Sequence, residues 1–405
     1  MTSQQWLTAA DVDRPLWKHW LVIYRPARVT SDVGLLWIGG GANNGKLPAR
    51  PNAVLADLAR DTGTVTAELR MVPNQELTFL ADPERKPRKE DDLIAYTWDR
   101  YLKTGDEKWP LRLPMTKAAV RALDAVTAWS ASTDGGTVAV KRFVVSGGSK
   151  RGWTTWTTAA VDPRVIAIAP AVIDLLNVTP SFDHHWRAYG FWAPAVGDYV
   201  AHGIMGWMHA PQFAALMAIE DPWSYRSRLT MPKFLLNSAG DQFFLPDSAQ
   251  FYREGLPGET VFRYVPNSDH SLEETDAFDS LGAFYSTVVT GRSRPRVTWA
   301  MQRDGALRVT TSDAPLTARL WSATNAAARD FRLETFGKQW NPTPLTPSGP
   351  NTWNVHVTTP TSGWTASFVE FTFDVGAGKP LTVTTDVRVT PETMPFDAPK
   401  LSPSN

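Results

Sequence analysis

One serine, Ser149, lies in a glycine-rich stretch that reads GGSKRG at residues 147–152. A strand-like run precedes this stretch and a helix-like run follows it. Strand, sharp turn and helix in this order present a serine hydroxyl as a nucleophile, because glycines allow the strained turn and close packing of the helix on the strand. The usual pattern is G-x-S-x-G, whereas here Arg151 replaces the last glycine and Gly152 follows one residue late. The turn alone is a moderately specific signal, and a purely structural turn is the alternative.

An acid and a histidine follow Ser149 in the order expected for a serine hydrolase. Asp241 ends the string KFLLNSAGD, just after a strand-like run, and His270 ends VFRYVPNSDH, after the next one. In the α/β-hydrolase fold the acid follows a late strand and the histidine follows the last one, so a catalytic triad is predicted. The imidazole takes the serine proton, and the carboxylate orients the imidazole. Asp247 and Asp269 compete as acids, but one lies further into the following loop and the other adjoins the histidine.

A second glycine-rich stretch, GGGANNG at residues 39–45, follows the strand-like run GLLWI. Acyl transfer needs N–H donors for the negatively charged oxygen of the tetrahedral intermediate. In an α/β-hydrolase one donor comes from the loop after an early strand and another from the residue after the nucleophile. We therefore predict an oxyanion hole made by Lys150 and by Gly40 or Gly41. A tight turn that requires positive φ angles is the alternative interpretation of these glycines.

The same loop also matches a Walker A phosphate loop in all but its last position. Leu47 replaces the Ser or Thr that would bind Mg²⁺. Pro48 and Pro51 impede the helix whose N-terminus would face the phosphate. Nucleotide hydrolysis is therefore not predicted.

A metal site is the second rival to the triad. Its candidate ligands are Asp183, His184, His185, His202 and His209. Adjacent histidines point in different directions, and no HExxH or comparable spacing occurs. Histidines in a Trp-rich segment are more often packing or substrate-facing residues, so neither a metal nor another cofactor is predicted.

From about residue 20 to residue 290, short apolar runs alternate with longer helical patterns, which is typical of a mostly parallel sheet wound by helices. The predicted strands are residues 21–24, 34–38, 65–69, 143–146, 165–169, 233–237 and 261–265. The predicted helices are residues 53–60, 116–130, 150–160 and 248–254. These elements predict an α/β-hydrolase fold over residues 1–290.

Two segments depart from this alternation. Residues 174–225 are rich in Trp, Phe, Met and His, and we expect an insertion that covers the site as a lid, or a helical subdomain packed on its own aromatic residues. After residue 290, short Thr- and Val-rich runs separated by turn residues predict a β-sandwich-like domain over residues 291–405. From about residue 391 a Pro-rich tail is predicted to trail along the surface.

The composition limits the partners of the protein. The chain of 405 residues has 41 Lys+Arg and 41 Asp+Glu, so it lacks the positive charge that binds nucleic acids or anionic membranes. It has no cysteine, which excludes disulfides and a cysteine nucleophile. No apolar run approaches the ~20 residues that span a bilayer, and the first residues lack the apolar stretch of a signal peptide. The expected partner is a small-molecule, glycan-linked or peptide substrate, with the oligomeric state open.

The chain also resembles the PhoPQ-activated pathogenicity-related protein family, a branch of the α/β-hydrolases. The resemblance covers most of residues 2–280 and rests on long strings such as PLWKHWLVIYRP, ELRMVPNQEL, EDDLIAYTWDRYL, SGGSKRGWTTW and NSAGDQFFLPDSAQFY. It implies that Arg151 belongs to this family's own variant of the nucleophile turn, and that Ser149, Asp241 and His270 form the triad. It further implies a bacterial protein exported to the periplasm or secreted, whose leader lies outside this sequence, although a cytoplasmic location stays open.

The predicted reaction is hydrolysis of an ester, or of an amide, through a covalent acyl-serine. An ester is preferred because the sequence has no evident acidic or basic pocket for a peptide terminus. Arg151, His184, His185 and Trp186 are the residues predicted to contact the substrate. Two alternatives stay open: a serine peptidase or aminopeptidase on the same triad, and a catalytically silent α/β-hydrolase scaffold that acts as a binding protein.

Overall fold

One twisted β-sheet forms the centre of the protein in a computed structural model that describes residues 1–403. Two short strands at the N-terminus, β1 (Thr2–Gln5) and β2 (Leu16–Lys18), form a separate antiparallel pair. The next seven strands form the middle of the central sheet: β3 (Leu21–Tyr24), β4 (Val33–Ile38), β5 (Val65–Leu69), β6 (Arg142–Gly148), β7 (Val165–Ala171), β8 (Lys233–Ser238) and β9 (Thr260–Val265).

The order of these seven strands in the sheet is β3-β5-β4-β6-β7-β8-β9. β3 is antiparallel to β5, and every other neighbouring pair is parallel. β5 and β8 are buried along their whole length, as parallel strands covered on both faces are. A sharp turn and a helix follow β6, in the middle of the sheet. This arrangement confirms the predicted α/β-hydrolase fold, and each predicted strand lies within two residues of the observed one.

Helices cover both faces of the sheet. They are α1 (Ala53–Thr62), α2 (Glu90–Thr104), α3 (Arg112–Ala131), α4 (Lys150–Val161), α5 (Val178–Tyr189), α6 (Gly197–Ala201), α7 (Pro211–Glu220), α8 (Ala277–Thr290) and α9 (Leu333–Phe336). Buried side chains of α2, α3 and α4 form one apolar layer with the sheet, and those of α1 and α8 belong to the other. The site lies at the edge of the sheet where the parallel strands end.

One predicted helix is wrong, and three helices outside the insertion were not predicted. The helix predicted over residues 248–254 is wrong, since this stretch forms two 3₁₀ turns, Ser248–Phe251 and Arg253–Gly255. Tyr252 interrupts them with a φ of −142°, while its hydroxyl donates to the buried Asp174 at 2.5 Å. Outside the insertion, helices α2, α8 and the short α9 were not predicted, although the first turn of α2 carries three acidic residues, which are typical of a helix N-terminus.

The insertion, residues 174–225, is helical. It contains α5, α6 and α7, with 3₁₀ turns at Pro194–Val196, Ile204–Trp207 and Pro222–Arg228. It packs over α2 through aromatic contacts, because the Trp98 ring lies 5.4 Å from that of Tyr199 and 6.1 Å from that of Phe213. The insertion therefore covers the same edge of the sheet as the site.

The segment after residue 290 contributes eight strands: β10 (Val297–Met301), β11 (Leu307–Thr311), β12 (Thr317–Asn325), β13 (Asn341–Pro344), β14 (Thr352–Val355), β15 (Trp364–Phe373), β16 (Leu381–Thr384) and β17 (Arg388–Thr390). β10, β11 and β14 form a small antiparallel sheet. The strands β13-β12-β15-β16 continue the central sheet, because β16 pairs with β9 at Thr384 and Phe262. The sheet therefore continues across residue 290, so β9 is not left as an open edge, and the domain boundary at residue 290 stays a prediction.

The C-terminal tail, residues 391–403, is mostly exposed and contacts the insertion. Met394 packs against Ala188, Tyr189 and Ala193, and the Phe396 N–H donates to the Arg187 carbonyl at 3.1 Å. The tail therefore covers part of the apolar surface of the insertion.

Candidate active site

The turn between β6 and α4 places Ser149 in a strained backbone conformation, with φ of 58° and ψ of −127°. Two glycines make the turn possible, since a Cβ on Gly147 would lie 2.8 Å from the Arg151 carbonyl oxygen. A Cβ on Gly152 would lie 2.9 Å from the carbonyl oxygen of Ala171 on β7. The close helix–strand approach therefore occurs at Gly152, which explains why the turn tolerates arginine at residue 151.

The Arg151 side chain supports the neighbouring glycine-rich loop. Its Nε donates to the Val72 carbonyl at 2.6 Å, and its Nη2 donates to Glu90 at 2.7 Å. A Cβ on Gly40 would lie 2.7 Å from Nη2, so the guanidinium packs directly against the backbone of that loop. Arg151 was predicted to contact the substrate. In the structure its guanidinium instead contacts protein groups on three sides.

Asp241 and His270 are brought together by the loops after β8 and β9. The distance between His270 Nδ1 and Asp241 Oδ2 is 2.7 Å. Oδ1 of Asp241 accepts the backbone N–H groups of Phe243 and Phe244 at 2.7 and 3.3 Å. The His270 N–H donates to Gln242 Oε1 at 3.1 Å. The carboxylate is buried and oriented, so it can hold one imidazole tautomer and stabilise the imidazolium.

The two competing acids have other partners. Asp247 accepts hydrogen bonds from Arg329 at 2.6 Å and pairs with His184 at 2.9 Å. Burial alone would raise the pKa of Asp247, but His184 and Arg329 outweigh it and hold this pKa well below its usual range. Asp269 accepts the N–H and the hydroxyl of Ser271. The geometry therefore selects Asp241 as the partner of His270.

Phe243 lies near both Ser149 and His270. Phe243 lines the same pocket as Ser149, and its ring centroid lies 4.5 Å from that of His270. Within residues 1–403 the Ser149 hydroxyl is not hydrogen-bonded to the His270 ring. Hydrogen bonds between a nucleophile and its base commonly tighten only when substrate is bound.

The predicted oxyanion donors differ in whether their backbone N–H groups already have partners. Lys150 is the first residue of α4, where a backbone N–H has no partner in the preceding turn. Gly39 cannot contribute, because its N–H donates to the Leu69 carbonyl at 2.7 Å. The N–H groups of Gly40 and Gly41 donate to no group within residues 1–403, and Gly41 has a φ of 125°. The N–H groups of both predicted glycine donors are thus available to a ligand, whereas that of Gly39 is not.

A small pocket opens beside Ser149. Its walls come from the turn itself, from α2, α3 and α4, from the insertion and from the loop after β8. The residues that line it are mostly apolar, and they include Trp98, Trp153, Val178, Phe182, Tyr199, Met205, Met208, Phe213, Phe243 and Phe244. Most of these were not identified from the sequence, because they come from segments distant in the chain and have no shared motif.

Charged groups on the wall of the pocket neutralise each other. The Lys150 ammonium lies 2.9 Å from Glu90 and 3.0 Å from Asp91. The Tyr199 hydroxyl donates to the other oxygen of Asp91 at 3.0 Å. Burial alone would raise the pKa of Glu90, but Lys150 and Arg151 outweigh it and lower this pKa to about 2. The Glu90 carboxylate is therefore ionised at neutral pH and paired with Lys150 and Arg151.

The other predicted substrate contacts, His184, His185 and Trp186, do not line this pocket. The ring of His184 is held by Asp247, as described above. His185 is buried, its Nε2 accepts the Ala193 N–H at 3.0 Å, and burial lowers its pKa to about 3. Trp186 packs on Trp192 at 5.1 Å. The placement of these residues indicates that they support the insertion.

The histidines and acids considered as metal ligands are paired separately. His209 lies 3.2 Å from Asp183, and His202 lies 2.7 Å from Asp92. Among residues 1–403, no three His, Asp or Glu side chains are grouped as ligands of one ion. In the same part of the chain, no helix is long and apolar enough to cross a membrane.

Comparisons with known proteins give one family and several similar structures. A model of the PhoPQ-activated pathogenicity-related protein family matches residues 1–332. Autocrine proliferation repressor protein A of Dictyostelium discoideum is 36% identical over 425 residues, which span 98% of this chain and 85% of that protein. Acetyl xylan esterase 1 from Thermoanaerobacterium is 13% identical, with a TM-score of 0.47 over 67% of this chain and 79% of that one. A puromycin-hydrolysing peptidase of Mycobacterium tuberculosis is 15% identical, with a TM-score of 0.42 over 67% of this chain and 38% of that one.

Proposed function

The chain belongs to the PhoPQ-activated pathogenicity-related protein family, and we propose that it is a serine hydrolase that cleaves esters through an acyl-enzyme on Ser149. One observation carries the proposal. The buried Asp241 carboxylate lies 2.7 Å from His270 Nδ1, at the same edge of the sheet where the strained turn presents Ser149. This combination supplies a nucleophile, a base and a group that orients the base.

In the proposed reaction, Ser149 Oγ attacks the ester carbonyl while its proton passes to His270 Nε2. The N–H of Lys150 and that of Gly40 or Gly41 bind the resulting oxyanion. The C–O bond to the alcohol then breaks, and the alcohol leaves with the proton from His270. Water attacks the acyl-serine by the same steps, with His270 again as base, and releases the acid and the free serine.

Charge pairing in the pocket favours an ester over a peptide with a free amino terminus. An aminopeptidase needs a carboxylate that is available to bind the substrate ammonium group. Glu90 and Asp91, two acids beside the pocket, are instead paired with Lys150 and Arg151. A substrate amine would have to displace these cations, which costs part of its binding energy. We therefore propose esters as the first substrates to test, with peptidase activity as the alternative.

The test measures hydrolysis of p-nitrophenyl esters and of aminoacyl p-nitroanilides by the wild type, Ser149→Ala, His270→Ala and Asp241→Asn. We expect ester turnover by the wild type, and a fall in kcat of about 10⁴-fold or more in each variant, because the three groups act as a unit. Circular dichroism establishes that each variant is folded. Undiminished turnover in folded Ser149→Ala would remove this residue as the nucleophile.

A second candidate function is a binding or signalling role without catalysis. It is favoured by one finding, the 36% identity to a protein named as an autocrine proliferation repressor. Labelling with a fluorophosphonate distinguishes the two functions, since it requires an activated serine. Labelling of the wild type that is lost in Ser149→Ala supports the hydrolase, whereas a folded protein that neither labels nor hydrolyses any ester supports the binding role.

A further inference from the structure

We propose that the pocket beside Ser149 binds the acyl group of the substrate, that this group is uncharged and hydrophobic, and that Trp98 and Trp153 determine the preference. This inference rests on the proposed hydrolase function and specifies the substrate class of the same site. Both tryptophans line the pocket and both are nearly fully buried.

The indole groups of the two tryptophans are fixed by one glutamate. The Glu220 side chain is completely buried at the end of α7. Its Oε2 accepts the Trp98 Nε1–H at 2.6 Å, and its backbone carbonyl accepts the Trp153 Nε1–H at 2.6 Å. Residues from α2 and α4 are therefore tied to the same end of the insertion.

Arg112 completes this arrangement. Its Nη1 donates to Glu220 Oε2 at 2.6 Å. The guanidinium carbon lies 3.8 Å from the ring centroid of Trp153 and 5.2 Å from that of Trp98. Cation–π contacts of this kind add to the hydrogen bonds and restrict both rings. A rigid aromatic wall needs little ordering when a hydrophobic group binds to it, so more of the contact energy is available for binding.

The charges on the wall argue against a charged acyl group. Lys150 is paired with Glu90 and Asp91, and Arg112 is paired with Glu220. A carboxylate or ammonium on the substrate would lose its hydration in a mostly apolar pocket and would find these ions already engaged. An uncharged group avoids this cost and gains from leaving water.

The shape of the pocket favours the acyl group over the alcohol. One side of the pocket is closed by three buried residues, Trp98, Trp153 and Phe213. Two methionines of the insertion, Met205 and Met208, also line the pocket. The acyl group stays attached to Ser149 between the two half-reactions, whereas the alcohol must leave for solvent. A partly closed cavity next to the nucleophile therefore suits the acyl group, and flexible methionine side chains can adapt to its shape.

The experiment compares kcat/KM for p-nitrophenyl esters that share one leaving group and differ in the acyl group: acetate, hexanoate, phenylacetate and hemisuccinate. We expect values for hexanoate and phenylacetate at least tenfold above that for acetate, and a value for the negatively charged hemisuccinate below that for hexanoate. The selectivity ratio, hexanoate over acetate, is then measured in Trp98→Phe, Glu220→Gln and Met208→Phe.

We expect each of these three variants to lower the selectivity ratio at least threefold. Trp98→Phe removes a hydrogen bond and part of the wall, Glu220→Gln removes the charge that holds Arg112, and Met208→Phe fills part of the cavity. The ratio of two kcat/KM values separates a change in specificity from a general loss of activity. Met208→Phe alters the pocket without touching the hydrogen bond between Trp98 and Glu220, so the test does not depend on that bond alone. Trp129→Phe, which alters a half-exposed tryptophan at the end of α3 outside the pocket, is the matched control and leaves the ratio unchanged.

Two results would overturn the inference while leaving the hydrolase function intact. One is equal or better hydrolysis of acetate with loss of activity in Ser149→Ala. The other is a preference that appears only when the alcohol is varied among acetate esters. Absence of both ester hydrolysis and fluorophosphonate labelling in the folded wild type would instead remove the proposed function, and the inference with it.

Discussion

At the scale of single residues, Arg151 connects the turn of the nucleophile to the loop of the oxyanion donors. It occupies a position that is glycine in the usual pattern, and it contacts the backbone of Gly40 on one side and Glu90 on the other. The position of the Gly40 and Gly41 amides therefore depends on a side chain that follows Ser149 by two residues. This coupling makes the geometry of the oxyanion hole sensitive to changes that leave the proposed triad intact.

The first prediction concerns Gly40→Ala. Its Cβ would lie 2.7 Å from Arg151 Nη2, so either the guanidinium or the loop must move. Because one well-placed donor accounts for about 10²-fold to 10³-fold in kcat, we expect kcat of the best ester to fall by about tenfold to 100-fold, with a smaller change in KM. Steady-state kinetics measures both. Gly349→Ala is the control, since its Cβ has no neighbour closer than 4.0 Å. An unchanged kcat in Gly40→Ala would contradict a role of this loop.

The second prediction concerns His185, whose pKa burial lowers to about 3 from the ordinary value of 6.5. Below pH 6.5 the unfolded chain binds a proton at this residue, whereas the folded protein does so only near pH 3. The stability of the folded state therefore falls as the pH decreases through this range, by up to about 1.4 kcal/mol for each pH unit. The variant His185→Gln keeps an acceptor for the Ala193 N–H but has no side chain that binds a proton in this pH range.

Urea unfolding of the wild type and of His185→Gln at pH 7, 6 and 5 measures this effect. We expect the wild type to lose stability relative to the variant as the pH falls. A difference in unfolding free energy that is the same at all three values would show that His185 is protonated in the folded protein or is accessible to solvent.

At the scale of elements, strands and loops after residue 290 hold the two loops that carry the acid and the histidine. The Leu333 N–H donates to the carbonyl of Gly240, the residue before Asp241, at 2.9 Å. The Asn267 side chain, three residues before His270, exchanges two hydrogen bonds of 2.9 Å with the backbone of Trp340. The C-terminal segment therefore positions both loops from outside the α/β region.

The third prediction follows from these bonds. Asn267 has a φ of 55°, so Asn267→Gly keeps the backbone conformation and loses only the bonds to Trp340. We expect kcat to fall about threefold to tenfold with little change in KM, because the His270 loop loses its support while the pocket stays intact. Asn267→Ala adds backbone strain of about 1 kcal/mol and lowers the melting temperature further. Full activity of Asn267→Gly would show that the contact serves stability alone.

At the scale of the whole molecule, the chain returns from the C-terminal part of the central sheet to the insertion that covers the pocket. Thr393 accepts a hydrogen bond from Trp364 of β15, and the residues after it reach α5. Ser402 packs so closely on Gly206 that a Cβ there would collide with its carbonyl oxygen. The tail thus links the C-terminal sheet to the insertion at two points.

The fourth prediction concerns a protein that ends after Thr390. Without residues 391–403, apolar side chains of the insertion are exposed and its local opening costs less free energy. We expect limited proteolysis to cleave within residues 178–220 at least tenfold faster than in the full chain, with Lys400→Ala as a control that keeps the tail. Equal cleavage rates would show that the tail does not stabilise the insertion.

By itself, the sequence determined the features that depend on neighbours in the chain. The seven strands β3 to β9 could be predicted because each is a short apolar run bounded by turn residues, and the turn at Ser149 because its glycines are adjacent. The order of Ser149, Asp241 and His270 along the chain was enough to propose their roles. Helices α2 and α8 were not predicted, although the first turn of α2 carries three acidic residues that are typical of a helix N-terminus.

Only the tertiary structure decided what lines the pocket and what holds the loops. Trp98, Trp153 and Glu220 lie up to 122 residues apart in the chain, and no local pattern relates them. His184 and His185 were predicted at the substrate from their chemistry, whereas the folded chain buries them among partners of the insertion. The central sheet continues past residue 290 because β9 pairs with a strand more than a hundred residues later. Such contacts depend on which surfaces meet after folding, and a single sequence contains no direct record of them.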